Sequence, residues 1–297
     1  MAEAEIVDRE ERPKWRRIVD FPLVALAIAV GIFAFLRIGH ALIDTILPGG
    51  SRAERAPLLA LITVPIWLLA NRHVLARLGE MPRDEMPLSG AARNLGLGLA
   101  GGFLLFSAVL AAAALADVYS IFGYAGFDHH FVGFLAIAML TALTEELLFR
   151  GILFRWIEEF AGSWIALGMT SALFGVAHLL SPHANWFAAL AIAVEAGLLF
   201  GGAYMLTRNL WFPIGLHAAW NFTQGTIFGV PVSGGSAQGV VKAELSGPEL
   251  LSGGAFGLEA SLFALVICTA AGVWFVRLAL KRGELVQPMW IRRRNSA

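Results

Sequence analysis

The chain has one cysteine, Cys268, in 297 residues. A lone thiol rules out an internal disulfide framework and any cysteine-built metal site. Cys268 lies in the last apolar segment and reads as a small buried or lipid-facing side chain. Charge is also scarce: Asp, Glu, Lys and Arg make up 15% of the residues and cancel to a formal net charge of zero. A soluble domain of this length carries about a quarter charged residues, so a soluble class is excluded. The basic residues sort by loop and form no patch, so no nucleic-acid partner is expected. No repeat of fixed period is visible.

In place of charge there are long apolar runs, and 58% of the residues are hydrophobic. Read by length and composition, the spans fall at about 21–38, 57–70, 95–118, 131–155, 164–180, 186–206, 211–229 and 255–280. The expected fold is an all-α integral membrane protein, a bundle of about eight transmembrane helices around an intramembrane polar cavity. The second span is short and carries Pro65, which predicts a kink or an incomplete crossing. No small-residue cleavage site follows the first run, so it reads as an uncleaved helix. Four regions follow: a charged N-terminal segment over 1–20, the first spans and a loop over 21–94, a helical core over 95–280 and a basic tail over 281–297.

The positive-inside rule tests the count. One set of connections holds Arg72, Arg77, Arg83 and Arg93, then Arg155, Arg208, Arg277, Lys281, Arg282 and Arg292 to Arg294. The opposite set holds Arg52, Arg55 and Lys242. That asymmetry puts both termini in the cytoplasm, which needs an even number of spans. The Gly- and Ser-rich stretch 230–254 reads as a flexible connection, with a lid over an outward opening as the other reading. Gly98-x-x-x-Gly102 and Gly197-x-x-x-Gly201 provide small faces for close helix packing.

Few ionisable residues interrupt the later spans: Glu145, Glu146, Arg150, His178, Glu195 and His217, with Asn221 one turn beyond His217. Each is costly in a bilayer and marks a functional site by default. Residues four apart share a helix face, so Glu146 and Arg150 are expected to form a structural ion pair. Glu145 lies about 100° round the helix and is free to face elsewhere. A carboxylate withdrawn from bulk water is a stronger base, which makes Glu145 the better candidate for chemistry. Any one of these residues alone could be a satisfied polar plug. Polar residues on three spans together favour a shared site, with His178, His217 and Asn221 as its other members. Glu195 is ambiguous. His183 and Asn185, like His40, Asp44 and His73, read as interfacial. Straight helices put Glu145, His178 and His217 at different depths, so convergence requires tilted or broken helices.

Glu145-Glu146-x-x-x-Arg150, Phe174-x-x-x-His178 and His217-x-x-x-Asn221 resemble, in order, the three motifs of the CPBP intramembrane proteases. This family comprises type II CAAX prenyl endopeptidases and the bacteriocin-processing or self-immunity proteins, also called Abi. The resemblance covers about a third of the chain, roughly 131–229. It implies an eight-span helical fold that hydrolyses peptide bonds in a membrane cavity. By motif position, Glu145 would activate water with help from His178, while His217 and Asn221 would stabilise the oxyanion. Family members are often labelled metalloproteases, and Glu145, His178 and His217 make a candidate zinc set with an open position. A metal-free glutamate mechanism is the preferred expectation. The expected partners are a membrane-associated peptide or protein substrate and the lipid bilayer, in a bacterial inner membrane. A non-catalytic scaffold or immunity factor of the same fold, and a small transporter, are the rival classes. No internal symmetry of the transporter kind is visible.

Overall fold

The structure, a computed structural model, describes residues 13–295. Most of the charged segment expected over 1–20 lies outside them. The described residues are 71% helical and 5% strand. A short α1 (Lys14–Val19) leads into α2 (Pro22–Ile46), α3 (Arg52–His73) and α4 (Ala91–Leu115). After β1 (Tyr119–Tyr124) come α5 (Phe131–Glu146), α6 (Arg155–Ala161), α7 (Ser163–His178), α8 (Trp186–Thr207) and α9 (Trp211–Phe222). The rest comprises β2 (Val241–Leu245), α10 (Glu249–Ser252), α11 (Leu262–Lys281) and α12 (Met289–Asn295).

Six of these helical stretches are long and apolar enough to cross a membrane: Pro22–Ile46, Arg52–Arg77, Ala91–Leu115, Phe131–Ala161, Trp186–Thr207 and Leu262–Lys281. The other two expected spans are the shorter apolar helix α7 and the 12-residue α9, which a wide helical turn extends to Ile227. The second span is longer than its apolar run predicts. Ser51 and Glu54 close a capping box at its start, and α3 continues unbroken through Pro57 and Pro65. The last span starts later than expected, at Leu262 after the Ser261 cap, because residues 258–260 form a separate tight turn.

Hydrogen bonds gather the connections into two layers. In one, Arg155 donates to the carbonyls of Leu75 and Leu78 at 3.1 and 3.2 Å. There the buried Tyr204 hydroxyl donates to Glu85 at 2.8 Å and accepts from Arg83 at 2.6 Å. Arg208 donates to Glu158 at 2.7 Å. Both described ends reach this layer, since Arg16 donates to the Arg77 carbonyl and Arg292 to that of Glu159.

The opposite layer holds the two strands, paired antiparallel with Tyr119 opposite Leu245, a small sheet that the all-helical expectation lacked. The stretch 230–254, expected to be flexible, is bonded along its length. Val230 N–H donates to Gln224 O, Val240 N–H to Thr226 O and Gly234 N–H to Phe256 O. Fixed backbone partners explain the order, because the segment lies on the bundle and lines a cleft.

Close helix contact sets the position of α9. A Cβ on Gly98 would lie 2.2 Å from the Phe212 carbonyl oxygen, and one on Gly102 would lie 2.2 Å from that of Leu216. Only glycine allows α4 and α9 to approach this closely. The approach seats His217, the residue that follows Leu216 on α9.

Candidate active site

Between α5 and α6 the helix widens into a π-helical stretch, Leu147–Phe154, immediately after the two glutamates. A second such stretch, Thr223–Ile227, starts two residues after Asn221. Widened turns of this kind occur mostly where a helix must re-aim side chains, often at functional sites. They supply the broken helical geometry that convergence requires.

Glu145, His178, His217 and Asn221 line one cleft of about 630 Å³. His178 is the last residue of α7, and its Nδ1 lies 2.7 Å from the Phe174 carbonyl oxygen. A carbonyl only accepts, so Nδ1 carries the hydrogen and Nε2 is left for the cleft. His217 is buried, and its Nδ1 is 2.9 Å from Glu146 Oε1. Its Nε2 is 3.9 Å from Glu145 Oε2. Both imidazoles are therefore anchored through Nδ1 and present Nε2.

Glu146 and Arg150 are fully buried and form an ion pair at 2.9 Å. Glu146 has a second task that spacing alone did not reveal: the same Oε1 that accepts from Arg150 also takes the Nδ1–H of His217. Arg150 also donates to the Ala196 carbonyl at 3.2 Å and sits 4.6 Å from the centre of the Phe174 ring. Phe200 stacks on His217 with centroids 4.8 Å apart and planes 16° apart. The pair is thus the base of a rigid stack under His217, tied to α7 through Phe174 and to α8 through Ala196 and Phe200.

Glu145 is one-third exposed and opens onto a second cleft between α2, α3 and α5. That cleft also holds Arg37, His40, Asp44 and Arg52. The sequence put His40 and Asp44 at the interface; the structure puts them in a cleft that ends on Glu145. Glu145 accordingly has more cationic neighbours than its own helix supplies, with Arg37 close enough to act on it electrostatically.

Glu195, the ambiguous carboxylate, is buried beside a much smaller pocket of about 40 Å³ that adjoins the main cleft at His178, His217 and Asn221. Cys268 lines the same pocket and is buried, not lipid-facing. So does Glu259, which falls inside the expected span 255–280 but was not singled out there, and which the structure places in the turn before α11. Its signal was there to read, a single carboxylate in the apolar run Phe256-Gly-Leu-Glu-Ala260. Glu259 accepts the Ser233 N–H and so ties the 230–254 stretch to the pocket. Asn185 caps α8 through the Ala188 N–H at 2.8 Å and donates to Glu249. His183 occupies the preceding turn with φ +57°.

For a metal, Glu145 and the two Nε2 atoms are the available donors. They are not gathered as a ligand set here: among the described residues, only Glu54, His129 and His130 bring three such atoms within 4.8 Å of one another.

Comparison with known proteins adds one finding. Residues 127–223 match the family model described as type II CAAX prenyl endopeptidase Rce1-like, consistent with the CPBP resemblance of the motifs. No curated protein matches the chain. The matched segment contains all three motifs, and α5 to α9 carry them.

Proposed function

We propose that this protein is an intramembrane endopeptidase that hydrolyses peptide bonds of membrane-associated or amphipathic peptides. The observation that carries the reading is the meeting of Glu145, His178, His217 and Asn221, from three separated helices, in one cleft. The family match supports a CAAX-type intramembrane protease.

In this reading Glu145 takes a proton from water as the hydroxide attacks the scissile carbonyl carbon, and His178 Nε2 helps to orient that water. The carbonyl oxygen becomes an oxyanion, which meets the Asn221 amide and His217. His217 donates through Nε2 only as an imidazolium, and the flanking carboxylates of Glu145 and Glu146 are the charge complement of that form. Glu146 and Arg150 hold His217 in place and do not touch substrate. Collapse of the intermediate breaks the C–N bond, and the proton gained by Glu145 passes to the leaving amine. No step here requires a metal. The dispersed Nε2 atoms fit this version better than a three-ligand zinc centre. Arginine is concentrated in the layer shared by α1 and α12, which supports a cytoplasmic location for both ends in a bacterial inner membrane.

The test compares membrane proteomes from cells carrying wild type or Glu145→Gln. An uncut precursor accumulates with the variant, which inserts and unfolds like wild type. A folded Glu145→Gln protein with full biological activity would make the molecule a scaffold. A stoichiometric metal, lost together with activity on stringent chelation, would replace the metal-free step by a metal-bound one.

A further inference from the structure

Away from the catalytic cleft, one set of metal-type donors is already assembled. Glu54 lies in the first turn of α3, and His129 and His130 immediately precede α5. Their donor atoms all lie within 4.8 Å of one another. Glu54 Oε2 is occupied by the α3 cap, accepting from Gly50 N–H at 2.6 Å and Ser51 N–H at 3.1 Å. This pins the carboxylate and turns Oε1 toward His130 Nε2, 3.5 Å away.

That distance is long for an N–H···O bond. It matches the edge of a zinc tetrahedron: Zn–N and Zn–O bonds of about 2.1 Å at a tetrahedral angle put nitrogen and oxygen about 3.4 Å apart. The outer shell is also in place. His130 Nδ1 is 3.3 Å from Asp128 Oδ2, and Asp128 Oδ1 accepts the His130 backbone N–H at 2.9 Å. A carboxylate on the far nitrogen is the usual means of fixing a ligating imidazole. The His129 ring lies over that of His130 with centroids 3.8 Å apart. Arg55, the nearest arginine in sequence, is bonded to Asp44 at 2.9 Å and is not drawn onto Glu54.

We propose that Glu54, His129 and His130 form a zinc-type divalent-metal site, with Asp128 orienting His130. Two imidazoles and one carboxylate select zinc-like ions over magnesium or calcium. The bound ion ties the start of α3 to the start of α5. His130, Ser51, Arg52 and Ala53 also line the catalytic cleft, so the tie crosses the cleft rim. The site does not depend on the protease reading, because it shares no residue with Glu145, His178, His217 or Asn221.

The experiment uses the full chain in detergent without a histidine tag, dialysed against Zn²⁺ and assayed for bound metal, with Co²⁺ as a spectroscopic substitute. Wild type takes up one zinc per chain, and Co²⁺ gives the visible bands of a tetrahedral nitrogen–oxygen site. His129→Ala/His130→Ala loses the metal. Asp128→Asn, which keeps every ligand, weakens binding by about tenfold or more and decides the matter should the double variant misfold. Glu145→Gln leaves uptake unchanged. Absence of stoichiometric zinc in wild type, unchanged affinity in Asp128→Asn, or loss of zinc in Glu145→Gln would each overturn the proposal.

Discussion

Replacing Arg150 with Met separates two roles that Glu146 combines. Both side chains of the pair are fully buried, and the guanidinium is one of two donors on Glu146 Oε1. Removing one partner of a buried pair leaves an uncompensated charge and costs about 3–5 kcal/mol. That is a large part of the ~5–15 kcal/mol by which a folded domain is stable. Replacing both partners with apolar side chains of similar volume is often neutral or stabilising. Glu146→Leu/Arg150→Met is therefore expected to regain most of the stability lost by Arg150→Met alone. Activity follows a different course. The double variant still lacks the acceptor that fixes the His217 Nδ1–H, so the imidazole no longer presents Nε2 in a fixed direction. Loss of one oriented oxyanion donor costs about 10²–10³ in kcat. The assay pairs denaturant unfolding in detergent with cleavage of a reporter substrate on the same three proteins. A double variant that is both stable and active would remove Glu146 from the support of His217. One that stays as unstable as Arg150→Met would remove the uncompensated charge as the cause.

Gly98→Ala forces a Cβ to within 2.2 Å of the Phe212 carbonyl oxygen unless α9 moves. It should cost about 1–3 kcal/mol and, by displacing His217, lower kcat more than it raises KM in steady-state cleavage. Tyr204→Phe leaves Arg83 and Glu85 without the hydroxyl between them in the opposite layer. It should destabilise by about 1–3 kcal/mol in an unfolding titration while kcat holds. Burial pushes the Tyr119 hydroxyl from the ordinary 10.0 to about 12. The unfolded chain then loses that proton first, so stability is intact below pH 10.0 and falls as pH rises through about 12. Unfolding midpoints across that range should fall more steeply for wild type than for Tyr119→Phe.

Composition and apolar run length by themselves determined that this is a helical membrane protein, because a bilayer leaves the backbone few ways to satisfy its hydrogen bonds. They also located the spans to within a few residues at most ends. The largest exception is the first span, which runs on to Ile46, and two others have local causes. The Ser51–Glu54 box starts α3 early, and the turn carrying Glu259 delays α11. The motif residues were legible because a charge in an apolar run is costly enough to stand out.

Which atoms meet was beyond the reach of periodicity. Spacing of four pairs Glu146 with Arg150, but no spacing within one helix can show that His217, 71 residues later, shares the same oxygen. The close approach of α4 to α9 at Gly98 and Gly102, the wide turns after Glu146 and after Asn221, and the bonded 230–254 stretch bring those residues together. All three are products of packing between distant segments. The cluster of Glu54, His129 and His130 is of the same kind, two short polar signals some 75 positions apart. The sequence by itself singled out the candidate side chains, because each is costly where it sits. Tertiary packing decided which of their atoms face one another, because contact across helices depends on the whole bundle.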